Sequence, residues 1–244
     1  MRGIWVVFKR ELAAYFATPL AYVFIVIYLA LAGALTFYVG GFFERGQADL
    51  EPFFVFHPWL YLFLVPAIAM RLWAEERRTG TLELLMTLPL TTGQAVLGKF
   101  LAAWVFTGIA LALTFPMWLT VEYLGDPDNG VIAAGYLGSW LMAGAFIAIG
   151  ACASALTKNQ VIAFVLGAAA SFVFLMSGVD LVLAPLRGLV SPLVLDLVAS
   201  FSFISHFQLL MKGIVSLSTL VFLVAVMVVG LVVNSLIVEL KKVG

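Results

Sequence analysis

Residues 75–89 read Glu-Glu-Arg-Arg-Thr-Gly-Thr-Leu-Glu-Leu-Leu-Met-Thr-Leu-Pro, the densest charge cluster in a chain that is otherwise almost all apolar. Apolar runs of membrane length stand on both sides, at about 56–74 and 97–123. A polar segment between two crossings lies at one face of the bilayer. Its pattern is that of a short helix over about 81–88. Gly80 permits a sharp entry, Thr81 can cap the first turn and Glu83 suits its dipole, and Pro89 ends it. Leu82, Leu85 and Met86 line one face, with Glu83 and Thr87 on another. So short a helix is marginal in water alone. It needs a partner surface, either the lipid interface or a soluble protein.

Outward from this cluster the composition fixes the class. Of 244 residues 64% are hydrophobic and 11% charged, against about a quarter charged in water-soluble domains. The chain therefore reads as an all-α integral membrane protein. Long unbroken apolar runs, without alternation, exclude a membrane β-barrel. Thirteen basic and thirteen acidic residues balance, so no basic surface points to nucleic acid. Cys152, the single cysteine, makes no internal disulfide and reads as a small packing residue. Little length remains for a soluble domain, so an ATPase or receptor would be another chain.

Six spans are expected at about 20–41, 56–74, 97–123, 132–156, 161–184 and 214–239. Pro66 interrupts the second and is expected to kink it. With the N-terminus inside, Arg2, Lys9, Arg10, Arg71, Arg77, Arg78, Lys99, Lys158, Lys241 and Lys242 are cytoplasmic. Arg45, Arg187 and Lys212 are outside. That asymmetry places both termini in the cytoplasm. Before the first span, at about 3–17, Ile4, Trp5, Phe8, Leu12, Tyr15 and Phe16 share one helical face, with Arg2 and Lys9 on one border and Glu11 on the other. This is an interfacial amphipathic helix, ended by Thr18-Pro19. Residues 185–213 carry Pro185, Arg187, Pro192, Asp196, His206 and Lys212 among apolar residues. They read as a partly re-entrant outer helical hairpin; two further spans are the alternative.

Gly93 to Lys99 fits a phosphate-loop spacing, but Phe100 stands where a Mg²⁺-binding hydroxyl is needed and the run leads into a span. It is a chance match, and Lys99 reads as a lysine anchored to lipid phosphate at the bilayer face. No acid or base stands convincingly mid-membrane, as an ion-coupled carrier would require. Energy is therefore expected from outside this chain. His57 and His206 lack the companions of a metal site. His206 reads as a polar anchor of the hairpin, and Ser205 beside it gives no catalytic relay with Asp180. The glycines of the fourth and fifth spans, Gly135, Gly138, Gly144, Gly150 and Gly167, allow close helix approach. Either internal packing or sliding during gating would use them.

The run Glu75-Glu76-Arg77-Arg78-Thr79-Gly80-Thr81-Leu82-Glu83-Leu84-Leu85 resembles the charged coupling segment of type 2 ABC exporter permeases. Leu156-Thr157-Lys158-Asn159-Gln160-Val161-Ile162-Ala163-Phe164 and Ser205-His206-Phe207-Gln208-Leu209-Leu210-Met211-Lys212-Gly213 resemble the GldF-like and NosY-like branch of that family. After Gly213 the chain reads Ile-Val-Ser-Leu-Ser, without the acidic and basic residues of that branch.

The resemblance implies one transmembrane permease domain over 1–244, non-catalytic, in the bacterial inner membrane. It implies a pathway between two copies, or with a related permease, and two separate ABC ATPase subunits that hold the ATP and Mg²⁺. An accessory protein, periplasmic or in the membrane, is a further partner of such systems. Residues 81–88 would be the coupling helix, with Leu82, Leu85 and Met86 on its apolar face. Glu75, Glu76, Arg77, Arg78, Thr79, Gly80, Thr81 and Glu83 would surround the contact. Lys158, Asn159 and Gln160 would form a second cytoplasmic contact, although Asn159 reads more simply as a helix cap. Ser205, His206 and Phe207 would mark the outer hairpin. Two other readings stand beside ATP-driven export: an ATPase-driven mechanotransmitter that passes no cargo, and a self-contained channel or secondary carrier.

Overall fold

The structure, a computed structural model, describes residues 2–81, 90–187 and 190–242. The described residues form α-helices and one π-helical turn, with no strand among them. Helix α1 (Arg2–Phe16) is ended by Thr18 and followed at once by α2 (Pro19–Ala34), which runs into the π-helical turn Leu35–Val39. Proline opens α2 because its fixed φ suits a first turn whose N–H has no helical partner. Helices α3 (Glu51–Phe54), α4 (His57–Ala69) and α5 (Arg71–Thr79) make a second long stretch. Next come α6 (Thr92–Ala112), α7 (Phe115–Leu124), α8 (Asn129–Leu156) and α9 (Gln160–Met176). Short helices α10 (Asp180–Leu186), α11 (Pro192–Ser200) and α12 (Phe203–Met211) lead to α13 (Leu217–Lys242).

Among the described residues five stretches are long and apolar enough to cross a membrane: Pro19–Val39, Glu51–Thr79, Thr92–Leu124, Asn129–Leu156 and Leu217–Lys241. The pair α11–α12, bent by 62°, makes a sixth if it is one broken span. The protein is an all-α membrane protein.

The helix expected over 161–184 stops at Met176, leaving α9 with 17 residues, about 25 Å of helix. Ser177 Oγ donates to the Phe174 carbonyl at 3.0 Å as the helix ends. Close approach of the hairpin fixes the break: a Cβ on Gly178 would lie 2.5 Å from Ser202 Cβ. Ser202 in turn caps α12, accepting from the Ser205 N–H at 3.3 Å. His206 then ties the hairpin to α13. Its Nε2–H donates to the Ser200 carbonyl at 2.9 Å, leaving Nδ1 to accept from Thr219 Oγ1 at 3.1 Å. Phe207 is buried beside it.

Helix α8 is the central element, packed against α4, α5, α6, α9, α12 and α13. Its glycines pack within the chain, Gly135 on Phe54, Gly138 on Leu210 and Gly150 on Ala69. The α6–α8 contact is reciprocal. Trp104 and Trp140 stack with centroids 4.3 Å apart. Trp104 Nε1 donates to the Trp140 carbonyl at 2.8 Å, and Trp140 Nε1 returns the bond to the Trp104 carbonyl at 3.2 Å. Side chains on Gly108 or Gly144 would strike these indoles, at 2.8 and 2.9 Å from the ring nitrogens. On the α3–α4 side, buried His57 donates from Nδ1 to the Phe53 carbonyl at 2.9 Å. Its Nε2 therefore accepts from the Tyr28 hydroxyl at 2.9 Å.

Candidate functional site: an ionic junction at the foot of α5

The helix that leads into residues 82–89 is α5, and its construction starts with a fault in the backbone. Pro66 lies inside α4, and the helix breaks at Met70. Proline has no N–H for the ladder and weakens the helix around it. Ser154, from the far end of α8, repairs the break. Its hydroxyl donates to the Met70 carbonyl at 2.7 Å and accepts from the backbone N–H groups of Trp73 and Ala74, each at 3.0 Å. One turn further on, Arg77 donates to the Ala155 carbonyl at 2.8 Å, a cation placed on the carbonyl end of α8 as the helix dipole favours. So α5 is bonded to the last turn of α8 at two points.

The other side of α5 carries the charges. Lys99 of α6 is only 2% exposed, and its Nζ lies 2.9 Å from Glu76 Oε1 and 3.1 Å from Glu11 Oε1. It also sits 5.3 Å from the centre of the Trp73 ring, within the range of a cation–π contact. Arg10 Nη2 reaches Glu76 Oε1 at 3.2 Å and also pairs with Glu11. Three helices, α1, α5 and α6, thus meet on two carboxylates and two cations. For Glu11, burial alone would raise the carboxyl pKa. The charges of Lys99 and Arg10 and their hydrogen bonds outweigh it and hold the group below its ordinary value. Beside the junction Arg71 Nε donates to Glu75 at 2.8 Å, one turn apart on α5.

These positions revise several sequence expectations. Lys99 does not reach for lipid phosphate; two carboxylates enclose it, and Gly93 to Phe100 are ordinary α6 helix. Glu11 leaves the border of the interfacial helix and turns toward α6. Val7 is buried against Gly98, whereas Trp5 is 55% exposed. Of the expected contact residues, Glu76 and Arg77 bond inward to the chain's own helices. Arg78, Thr79, Gly80 and Thr81 are exposed at the end of α5. Gly80 takes φ 73° there, a left-handed cap that glycine adopts without strain. Leu82, Glu83, Leu85 and Met86 lie outside the described residues, as does the rest of the expected coupling helix beyond Thr81.

In the α8–α9 turn, Asn159 caps α9, accepting from the N–H groups of Val161 at 2.9 Å and Ile162 at 3.4 Å. Lys158 beside it is exposed and Gln160 half-buried. The turn follows Ala155, the residue that Arg77 holds, so it shares a face with the end of α5. Among the described residues no group of three or more His, Cys, Asp or Glu side chains is placed to hold a metal ion.

Sequence reasoning missed Lys99 as the partner of Glu76, and it missed Ser154. The signal for the first was a lone lysine just inside one apolar run, a lone acid on the interfacial helix and a charged run between. No signal marks Ser154 among the small residues of α8.

The model of the ABC-2 family transporter proteins matches residues 46–238 of this chain. The chain belongs to the ABC-2 transporter family. A search of curated proteins finds no match. Membership makes the protein a membrane subunit of an ABC transporter, a transport component to which the family assigns an ATPase partner. Within the ABC-2 match lie α5, Lys99 and the α8–α9 turn; α1 and Glu11 precede it.

Proposed function

We propose that this ABC-2 subunit is the permease half of an ATP-driven exporter, moved by two separate ATPase subunits that grip residues 81–88. Both termini lie in the cytoplasm, the membrane is the bacterial inner membrane, and a second copy completes the pathway. Within the family the runs at 156–164 and 205–213 favour the GldF-like and NosY-like branch. ATP and Mg²⁺ belong to the partner.

The observation that carries this reading is the double attachment of α5. It leads directly into the proposed coupling helix, is bonded to α8 through Ser154 and Arg77, and is bonded to α1 and α6 through Glu76. A force on 81–88 therefore acts on the central helix and on the interfacial helix together. The exposed residues Arg78, Thr79 and Thr81, with Lys158 of the neighbouring turn, are the contacts this reading leaves to the ATPase. Glu76 and Arg77 transmit rather than touch.

The test is reconstitution in proteoliposomes with an ABC ATPase. ATPase capture and stimulated turnover, both lost when residues 82–88 are scrambled, are the expected result. Stimulation that survives the scramble overturns the proposal.

A further inference from the structure

Beside the ionic junction is a cavity of about 250 Å³, bounded by Glu11, Tyr15 and Thr18 of the α1 end, Arg71 and Glu76 of α5, and Lys99 of α6. Thr18 immediately precedes the apolar stretch that starts at Pro19, and Arg71, one residue past Met70, begins the charged end of the stretch Glu51–Thr79. By residue type the cavity opens where apolar helix gives way to charged helix, the level at which headgroups meet hydrocarbon.

Its donors and acceptors are incompletely used. The contacts of the Glu11 and Glu76 carboxylates go through Oε1, and among the described residues Glu76 Oε2 is buried without a hydrogen-bond partner. Arg71 uses its Nε–H on Glu75 and, among the described residues, has no recorded bond from its two terminal nitrogens. A guanidinium fork is shaped for phosphate oxygens. Carboxylate oxygens call for an N–H donor. Arg71 and Lys99 face Glu11, Glu75 and Glu76 across the cavity, and Arg10 and Arg78 pair with these carboxylates as well, so the cluster lies within one charge of balance. A ligand with net charge would add an uncompensated charge; a zwitterion would not. The cations paired with these carboxylates also oppose a metal ion.

We propose that this cavity binds the headgroup of a zwitterionic aminophospholipid, its phosphate on Arg71 and its primary ammonium on the second oxygens of Glu11 and Glu76. A choline headgroup of equal charge lacks the N–H donors. The site joins α1 to α5 through a lipid, so occupancy would stiffen the junction. The measurement below involves no ATPase, so its failure is separate from failure of the coupling proposal.

The full chain, delipidated in detergent, is offered equimolar phosphatidylethanolamine, phosphatidylcholine and phosphatidylglycerol, and retained lipid is read by native mass spectrometry. Phosphatidylethanolamine is expected to be retained about tenfold over the other two, the effect of one charge-assisted hydrogen bond. Filling the cavity from its wall with Ala14→Trp should abolish the preference at an unchanged unfolding midpoint, and Arg71→Ala should lower retention of phosphatidylethanolamine about tenfold by removing the phosphate contact. If Arg71→Ala does not fold, Ala14→Trp, which removes no charge, carries the test. Equal retention of the choline lipid, or a preference surviving Ala14→Trp, overturns the proposal. Soluble phosphoethanolamine that competes as tightly as the lipid overturns the lipid as the ligand's source.

Discussion

Lys99 Nζ and Glu76 Oε1 lie 2.9 Å apart, with the lysine almost wholly buried. The pair joins the start of one long apolar stretch to the end of another, across the segment that the coupling proposal assigns to the ATPase. Glu11 completes it from a helix outside both stretches.

Removing the cation should do more harm than removing the whole cluster. Lys99→Met leaves Glu11 and Glu76 with only the half-exposed Arg10 as counter-charge, and is expected to cost about 3 kcal/mol, the low end for breaking a buried pair. Adding Glu11→Gln and Glu76→Gln should recover most of that loss. Thermal unfolding in detergent measures both. A single variant as stable as the parent would mean that the junction contributes nothing.

Ser154→Ala should loosen α5 at its root. The Met70 carbonyl and the Trp73 and Ala74 N–H groups lose a shared partner, at an expected cost of about 1–3 kcal/mol. Hydrogen exchange should rise at 73–76, and ATPase stimulation should fall with membrane insertion unchanged. Exchange that stays at the parent level would show that α5 is held elsewhere.

The α1 contact should weaken in acid. Lys99 and Arg10 hold the Glu11 carboxyl below its ordinary value of 4.5, so its contribution is complete above that pH and is lost as pH falls through the lower folded value. Hydrogen exchange along α1 is expected to accelerate below about pH 4.5. Glu11→Gln should flatten that dependence. An identical pH profile in the variant would place the sensitive group outside α1.

Leu82→Asp and Glu83→Arg address the proposed grip itself. Each should abolish ATPase capture while leaving expression and insertion intact, because Asp places a charge on the apolar face and Arg reverses the sign at the first turn. Normal capture by both variants would refute the assignment of 81–88.

The class of the fold was legible in the apolar runs, because crossing a bilayer demands a length and a polarity that residue types record directly. Breaks within helices were less legible. Pro66 pointed to a kink, whereas α4 runs through it and breaks at Met70; the end of α9 at Met176 depends on Ser202 approaching Gly178 from a segment 24 residues further on. Local pattern contains no such contact. At the candidate site the charged residues were visible one at a time, and their pairing was not. Glu11, Glu76 and Lys99 are far apart in the chain, and each alone reads as a surface charge; only the packing of α1 across α5 and α6 turns them into one buried group. Arg77 was read as facing a partner for the same reason, whereas the open end of α8 draws it inward.

The paired indoles of Trp104 and Trp140 bear on which parts of the molecule can travel. Each ring is held by the other helix's carbonyl, in a slot that only glycine leaves open. Relative slip of α6 and α8 would break both bonds and drive a ring into backbone. The contact therefore resists shear between α6 and α8, and under the proposed transport cycle these two helices would be the stator against which other elements hinge.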